Sequence, residues 1–210
     1  MKKVIVTMAL LTALLGWGAS ELYELTPTPV SNSVVAEKSE DGRVGGQVAR
    51  VVPANLTSQQ HKLLTMAYEI GKQNGLKDPS LMQAILLQET EAGTGRYKVA
   101  NPGPEAYFGP MQVKLQTARD VLSRWPSLYE TFGFHTRTDD EVKANLILNE
   151  RFNLEVATKY IVVLKQAYGL QGRELLNAYN RGPGGVKAVG SDYHYAIGAE
   201  RKLAAYKQKR

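Results

Sequence analysis

A mainly α-helical domain with little or no β structure is what this sequence predicts, on three observations. Apolar residues recur three and four positions apart through most of residues 54–210, the period of one helix face. Helix starts (Thr57, Asp78–Pro79, Thr138) and stops (Asn74–Gly75, Pro126, Gly169) punctuate those runs. Extended alternation of apolar and polar residues, the mark of half-buried strands, is missing.

In chain order, Lys2 and Lys3 precede an uncharged, mostly apolar run from Val4 to Ser20, the pattern of an export signal, with Gly18 and Ser20 as the small residues before a cleavage point. The expectation is a signal peptide over 1–20. Its rival is an uncleaved anchor in which residues 4–20 tether the chain to the inner membrane, at the lower length limit for a bilayer core of ~30 Å. Residues 21–53 read as a flexible linker. Pro27, Pro29 and Pro53 with Gly42, Gly45 and Gly46 break any period, and the polar residues follow no face.

The folded unit is expected over 54–210. Thr57 and Gln60 form a capping-box pattern before Leu63, Leu64, Ala67 and Ile70, closed by Asn74–Gly75. Asp78–Pro79 opens a second helix running toward Gly93. Residues 94–110 carry several Gly and Pro and read as a loop, with room for short strands. Pro110 then starts a helix through Leu115, Ala118, Val121, Leu122 and Trp125, stopped by Pro126. Thr138 and Glu141 form another capping box. Phe152, Val156, Tyr160, Val163, Leu164 and Ala167 mark an amphipathic helix ending at Gly169. A short helix from Glu174 to Asn180 is cut by Gly182–Pro183–Gly184–Gly185, and Asp192 caps a last helix reaching the basic C-terminus.

Composition bounds the chemistry. Zero cysteines exclude disulfides, thiolate metal sites and a cysteine nucleophile. The three histidines, His61, His135 and His194, stand far apart, so neither a metal nor any other cofactor is expected. A net charge of +6 favours acidic partners in general: nucleic acid, anionic lipid or bacterial wall. Nucleic acid is the least favoured, because Arg137, Lys143, Arg151 and Lys159 are mixed among acids and no recognised module is present.

One carboxylate sits where a charge is unexpected. Leu81, Ile85 and Glu89 share a row, and Leu86 lies three residues before Glu89. Glu89 thus continues an apolar stripe, and it falls in the last turn, where the helix dipole disfavours an anion. Both effects raise a carboxylate pKa, which suits a general acid that breaks a glycosidic bond. The plainer reading is a Glu at a fraying helix end, facing water. Glu91 points the other way and cannot pair with it.

Four short words occur in order around it: Gln88–Glu89–Thr90, Phe108–Gly109–Pro110–Met111–Gln112, Asn153 before a long helix, and Asn177–Ala178–Tyr179–Asn180–Arg181–Gly182. Together they resemble the soluble lytic transglycosylase (SLT-type) family of the lysozyme superfamily, over nearly all of 57–210. Thr90 stands where that family has Ser, Pro110 where it has Leu and Arg181 where it has Ala. The resemblance implies a lysozyme-like helical domain with a substrate cleft, exported to the periplasm or cell envelope, that cuts the MurNAc–GlcNAc bond of peptidoglycan and leaves a 1,6-anhydro end. Glu89 would be the sole catalytic acid/base. Thr90 would hold nearby backbone or Glu89 itself, Met111 and Gln112 would line the glycan cleft, Tyr179 would hydrogen-bond the catalytic Glu, and Asn180 would contact substrate or fix the cleft wall. Tyr107 and Phe108 could stack on sugar rings.

Each has a plainer alternative: Met111 and Tyr179 as core, Gln112 as a cap, Asn180 as a helix terminator, Asn153 as a residue that opens its helix, Tyr107 and Phe108 as loop anchors. Two rival functions also stand. A lysozyme-like muramidase would need a second acid, for which Glu105 is the candidate. A non-catalytic wall-binding assembly component would keep the fold alone. The wider setting, whether wall turnover, secretion, conjugation or phage biology, is open.

Overall fold

The computed structural model describes residues 56–93, 106–189 (backbone only at 187–189) and 193–209. The expectations for residues 1–20 and 21–53, for Glu105 and for Asp192 lie outside these residues. Among the described residues the protein is mainly α: helices α1 (Ser58–Gln73), α2 (Ser80–Thr90), α3 (Leu115–Arg124), α4 (Ser127–Thr131), α5 (Asp139–Leu148), α6 (Glu150–Tyr168), α7 (Gly172–Val189) and α8 (His194–Lys207), with one two-stranded sheet. None of these helices is long and apolar enough to cross a membrane.

The first two helices begin as the sequence predicts. Thr57 Oγ1 accepts from Gln60 N at 3.3 Å while Gln60 Oε1 accepts from Thr57 N at 2.7 Å, a full capping box. Asp78 Oδ1 accepts from Ser80 N at 3.0 Å and from its hydroxyl at 2.6 Å. Residues 82–87 of α2 are all buried, because α2 packs between α1 and α8. Its C-terminal carbonyls are closed by Glu91 N on Leu87 and Ala92 N on Leu86. Closing them puts Glu91 (φ 52°) and Ala92 (φ 59°) in the left-handed region, a strained arrangement for non-glycine residues.

Three expectations are corrected. The helix expected from Pro110 begins only at Leu115, and the chain before it forms an antiparallel hairpin, β1 (Tyr107–Phe108) and β2 (Val113–Lys114), with Tyr107 opposite Lys114 and Phe108 opposite Val113. Pro110 occupies the second position of a turn closed by Gln112 N on Gly109 O at 3.0 Å, a place its fixed φ favours as much as a first helical turn. Gly109 (φ 69°) and Gln112 (φ 49°) are left-handed there, so no helix can run through. Glu141 makes only half of its capping box: Thr138 Oγ1 accepts from Glu141 N at 3.4 Å, while the carboxylate turns to the backbone amides of His135 and Thr136. The third correction concerns the glycine cluster. The helix does break at Gly182 (φ 76°, ψ 164°), but helical structure resumes through Pro183 to Val189, since proline is well placed in a first turn.

The long helix α6 ends at Gly169 (φ 67°) as expected. Its Asn153 has a different task from the one read in the sequence. Fully buried, it accepts from Met111 N at 2.9 Å and donates to Phe108 O at 2.9 Å and Leu146 O at 3.1 Å. The hairpin is fastened to α5 and α6 through this one amide.

Candidate active site

Glu89 lies in the last turn of α2 and is only partly exposed. Burial strips water from its carboxyl and lifts the pKa from 4.5 to about 7, against the smaller opposing effects of a hydrogen bond from Tyr195 and the charge of Lys202. Desolvation wins, and the acid holds its proton to far higher pH than an ordinary carboxyl.

Both opposing groups come from α8. The Tyr195 phenol donates to Glu89 Oε1 at 2.5 Å. Lys202, two turns further along, donates to Leu87 O at 3.2 Å and to Gln88 O at 3.4 Å, meeting the last carbonyls of α2 where a cation is favoured. Between them Gly198 faces Gln88 so closely that a Cβ would stand 3.0 Å from its amide. A side chain there would need the Gln88 amide to move aside by a few tenths of an ångström. Burial and the Glu89 charge hold the Tyr195 phenol well above its ordinary pKa, so it remains a donor.

The resemblance implies a Glu89 hydrogen bond from Tyr179, with a core tyrosine as the alternative, and the implied bond is corrected. Tyr179 donates instead to Met111 O at 2.8 Å, because α7 brings it against the hairpin turn while α8 recrosses the end of α2. It stays close enough for the Glu89 charge, after burial, to raise its pKa well above the usual value. Tyr195 was missed although its signal was present. Tyr195, Ala199, Lys202 and Tyr206 fall three and four apart, one face of α8, and that face carried two phenols and a cation rather than a plain apolar stripe.

The remaining predicted residues divide into two groups. Thr90 is buried, and its hydroxyl donates to Pro110 O at 2.9 Å and accepts from Gly93 N at 3.0 Å. It holds backbone and has no open face for a substrate. Met111 has 0% exposure and belongs to the core by its side chain, while its backbone N–H and C=O are taken by Asn153 and Tyr179. Phe108 is likewise buried.

Tyr107, Gln112, Tyr179 and Asn180, by contrast, share the wall of one cavity of about 150 Å³, with Lys114, Tyr160 and Arg181 around them. Gln112 turns its amide N–H to Gly109 O at 2.8 Å. Lys114 stands 5.1 Å from the centre of the Tyr107 ring, and the Tyr160 and Tyr179 rings are 5.8 Å apart. Glu89 does not line this cavity. A continuous set of bonds links the two: Thr90, next to Glu89, holds Pro110, and the following Met111 holds Tyr179.

The chemistry this permits is proton donation from a partly desolvated carboxyl next to a small polar, aromatic-walled hollow. Oε1 is occupied by Tyr195, which leaves Oε2 to carry a transferable proton. Among the described residues no second carboxylate acts on Glu89. Compared with known proteins, the chain matches no family model and no curated protein sequence.

Proposed function

We propose that the protein is a peptidoglycan lytic transglycosylase, with Glu89 as its single acid/base. The observation that carries this reading is the Glu89 carboxyl lifted to about 7 beside a phenol donor, close to a cavity that gathers Tyr107, Gln112, Tyr179 and Asn180. The neutral acid protonates the glycosidic oxygen, and the C1–O bond breaks. The resulting carboxylate takes the proton of the MurNAc C6 hydroxyl as that oxygen closes on C1 of the same sugar. An intramolecular nucleophile needs no second carboxylate to activate water, because its effective concentration is already high. A lysozyme-like arrangement of the helices, and export to the periplasm or cell envelope, belong to the same proposal.

Mass spectrometry of products released from purified sacculi tests it. Anhydro-MurNAc ends are expected, whereas reducing ends would replace this reading with the hydrolase. Binding to sacculi without lysis would favour the wall-binding component.

A further inference from the structure

We propose that a second cavity, on the side of α6 turned away from Glu89, binds a short carboxylate-bearing peptide. Its position follows from helix geometry. Arg151, Glu155 and Lys159 recur every four residues along α6 and line a hollow of about 470 Å³. Ala157 and Tyr160, which line the cavity near Glu89, lie roughly 170° around the same helix. The far hollow is therefore separate from the glycan site. Its other wall is built from Trp125, Ser127 and Thr131 at the junction of α3 and α4.

The charges define the ligand. Two cations face one carboxylate. Among the described residues the exposed Arg151 guanidinium has no acceptor at hydrogen-bond or ion-pair distance, so its planar fork is open to a carboxylate. The Lys159 ammonium stands 5.1 Å from the centre of the Trp125 ring; a π face fixes such a cation without neutralising it. Glu155 is oriented by Asn74 Nδ2 at 3.0 Å and keeps an oxygen for a ligand ammonium.

A nucleic acid or other polyphosphate would meet the Glu155 carboxylate in the middle of the row. A neutral sugar would leave both cations without an anion and would have to displace Lys159 from the indole. A peptide with more carboxylates than amines satisfies all three charges, and its methyl groups can rest on Trp125. Given the wall substrate proposed above, on which the ligand's identity rests, the peptide is a stem from a neighbouring strand, and the site would hold the enzyme on the wall while the opposite face works on glycan.

The test titrates the full chain, carrying Glu89→Gln, with the glycan-free stem peptide L-Ala-γ-D-Glu-meso-diaminopimelyl-D-Ala while the Trp125 indole resonance is followed by NMR. A saturable shift is expected, weakened by about tenfold in Arg151→Glu, the worth of one charge-assisted hydrogen bond. Arg151 is exposed, so this variant is expected to fold, and its unfolding curve checks that. No saturable shift, or equal binding by Arg151→Glu, overturns the proposal. Equally tight binding of tri-glutamate overturns the assignment to wall stems. Anhydro products from the wild type without a peptide shift would remove this site and leave the catalytic reading standing; a shift in a protein that never lyses sacculi would support the site and remove the catalytic reading.

Discussion

The phenol of Tyr195 donates to Oε1 of Glu89 at 2.5 Å, across 106 residues of chain. The bond fixes one carboxyl oxygen and favours the ionised form, against a burial that favours the neutral one. Their balance sets the acid near neutrality, where a proton can be both given and taken back.

Removing the phenol should therefore raise the Glu89 pKa further. In Tyr195→Phe the upper limb of the pH–rate profile is expected to move to higher pH by about one unit, from the size of a hydrogen bond to a charged group. Loss of orientation should lower kcat by about tenfold at its optimum. An unchanged profile would show that Tyr195 does not act on Glu89.

Lys202 acts in the same direction by charge. In Lys202→Met the Glu89 pKa is again expected to rise, and the Leu87 and Gln88 carbonyls lose a donor. NMR titration of the carboxyl together with thermal unfolding would separate the two consequences. A downward shift would contradict the assigned role.

Glu89 also couples stability to pH. Folded, it keeps its proton to about pH 7; unfolded, only to about 4.5. The stability it contributes as a neutral group is fully present below pH 4.5 and is lost as pH rises from 4.5 through 7, by roughly 3 kcal/mol in all. Gln cannot ionise. Glu89→Gln is thus expected to abolish lysis yet exceed the wild type in stability by about 1–3 kcal/mol at pH 8, with the difference vanishing at pH 4. Urea unfolding at the two pH values decides it, and equal stabilities at pH 8 would argue that the carboxyl is well solvated.

The hairpin fastening should be costly to break. Asn153→Ala leaves Met111 N, Phe108 O and Leu146 O without their buried partner, for an expected loss of about 3 kcal/mol or more. Gly109→Ala would place a Cβ 2.1 Å from Leu146 O and 2.4 Å from Asn153 Nδ2, where nothing can give way cheaply. Denaturant midpoints would measure both, and a loss below about 1 kcal/mol in Asn153→Ala would show the fastening to be dispensable.

Much of the helical layout was legible because it is written locally. The Thr57–Gln60 box, Asp78 ahead of α2 and Gly169 after α6 act over three or four residues, and periodicity put Leu63, Ala67, Ile85, Val121 and Phe152 inside, where they are. The hairpin was not legible as such. Pro110 is equally acceptable in a turn and in a first helical turn, and the choice is made by Asn153, more than forty residues away. The site followed the same division. The position of Glu89 on an apolar row already offered a raised pKa, beside the plainer reading of a Glu facing water. Its phenol partner did not follow from a row, since Tyr179 and Tyr195 are both tyrosines on packed helix faces, and only the crossing of α8 over the end of α2 decides which one reaches the carboxyl. Met111 and Thr90 sit in motif-like words, yet their backbone-holding roles depend on contacts that spacing does not encode.

The central claim is that burial raises the pKa of the Glu89 carboxyl from 4.5 to about 7. Titration of its side-chain carboxyl by ¹³C NMR in the folded protein measures this directly. An inflection near pH 7, moving higher in Tyr195→Phe, is the expected result; an inflection near 4.5, unmoved by that substitution, would contradict the account.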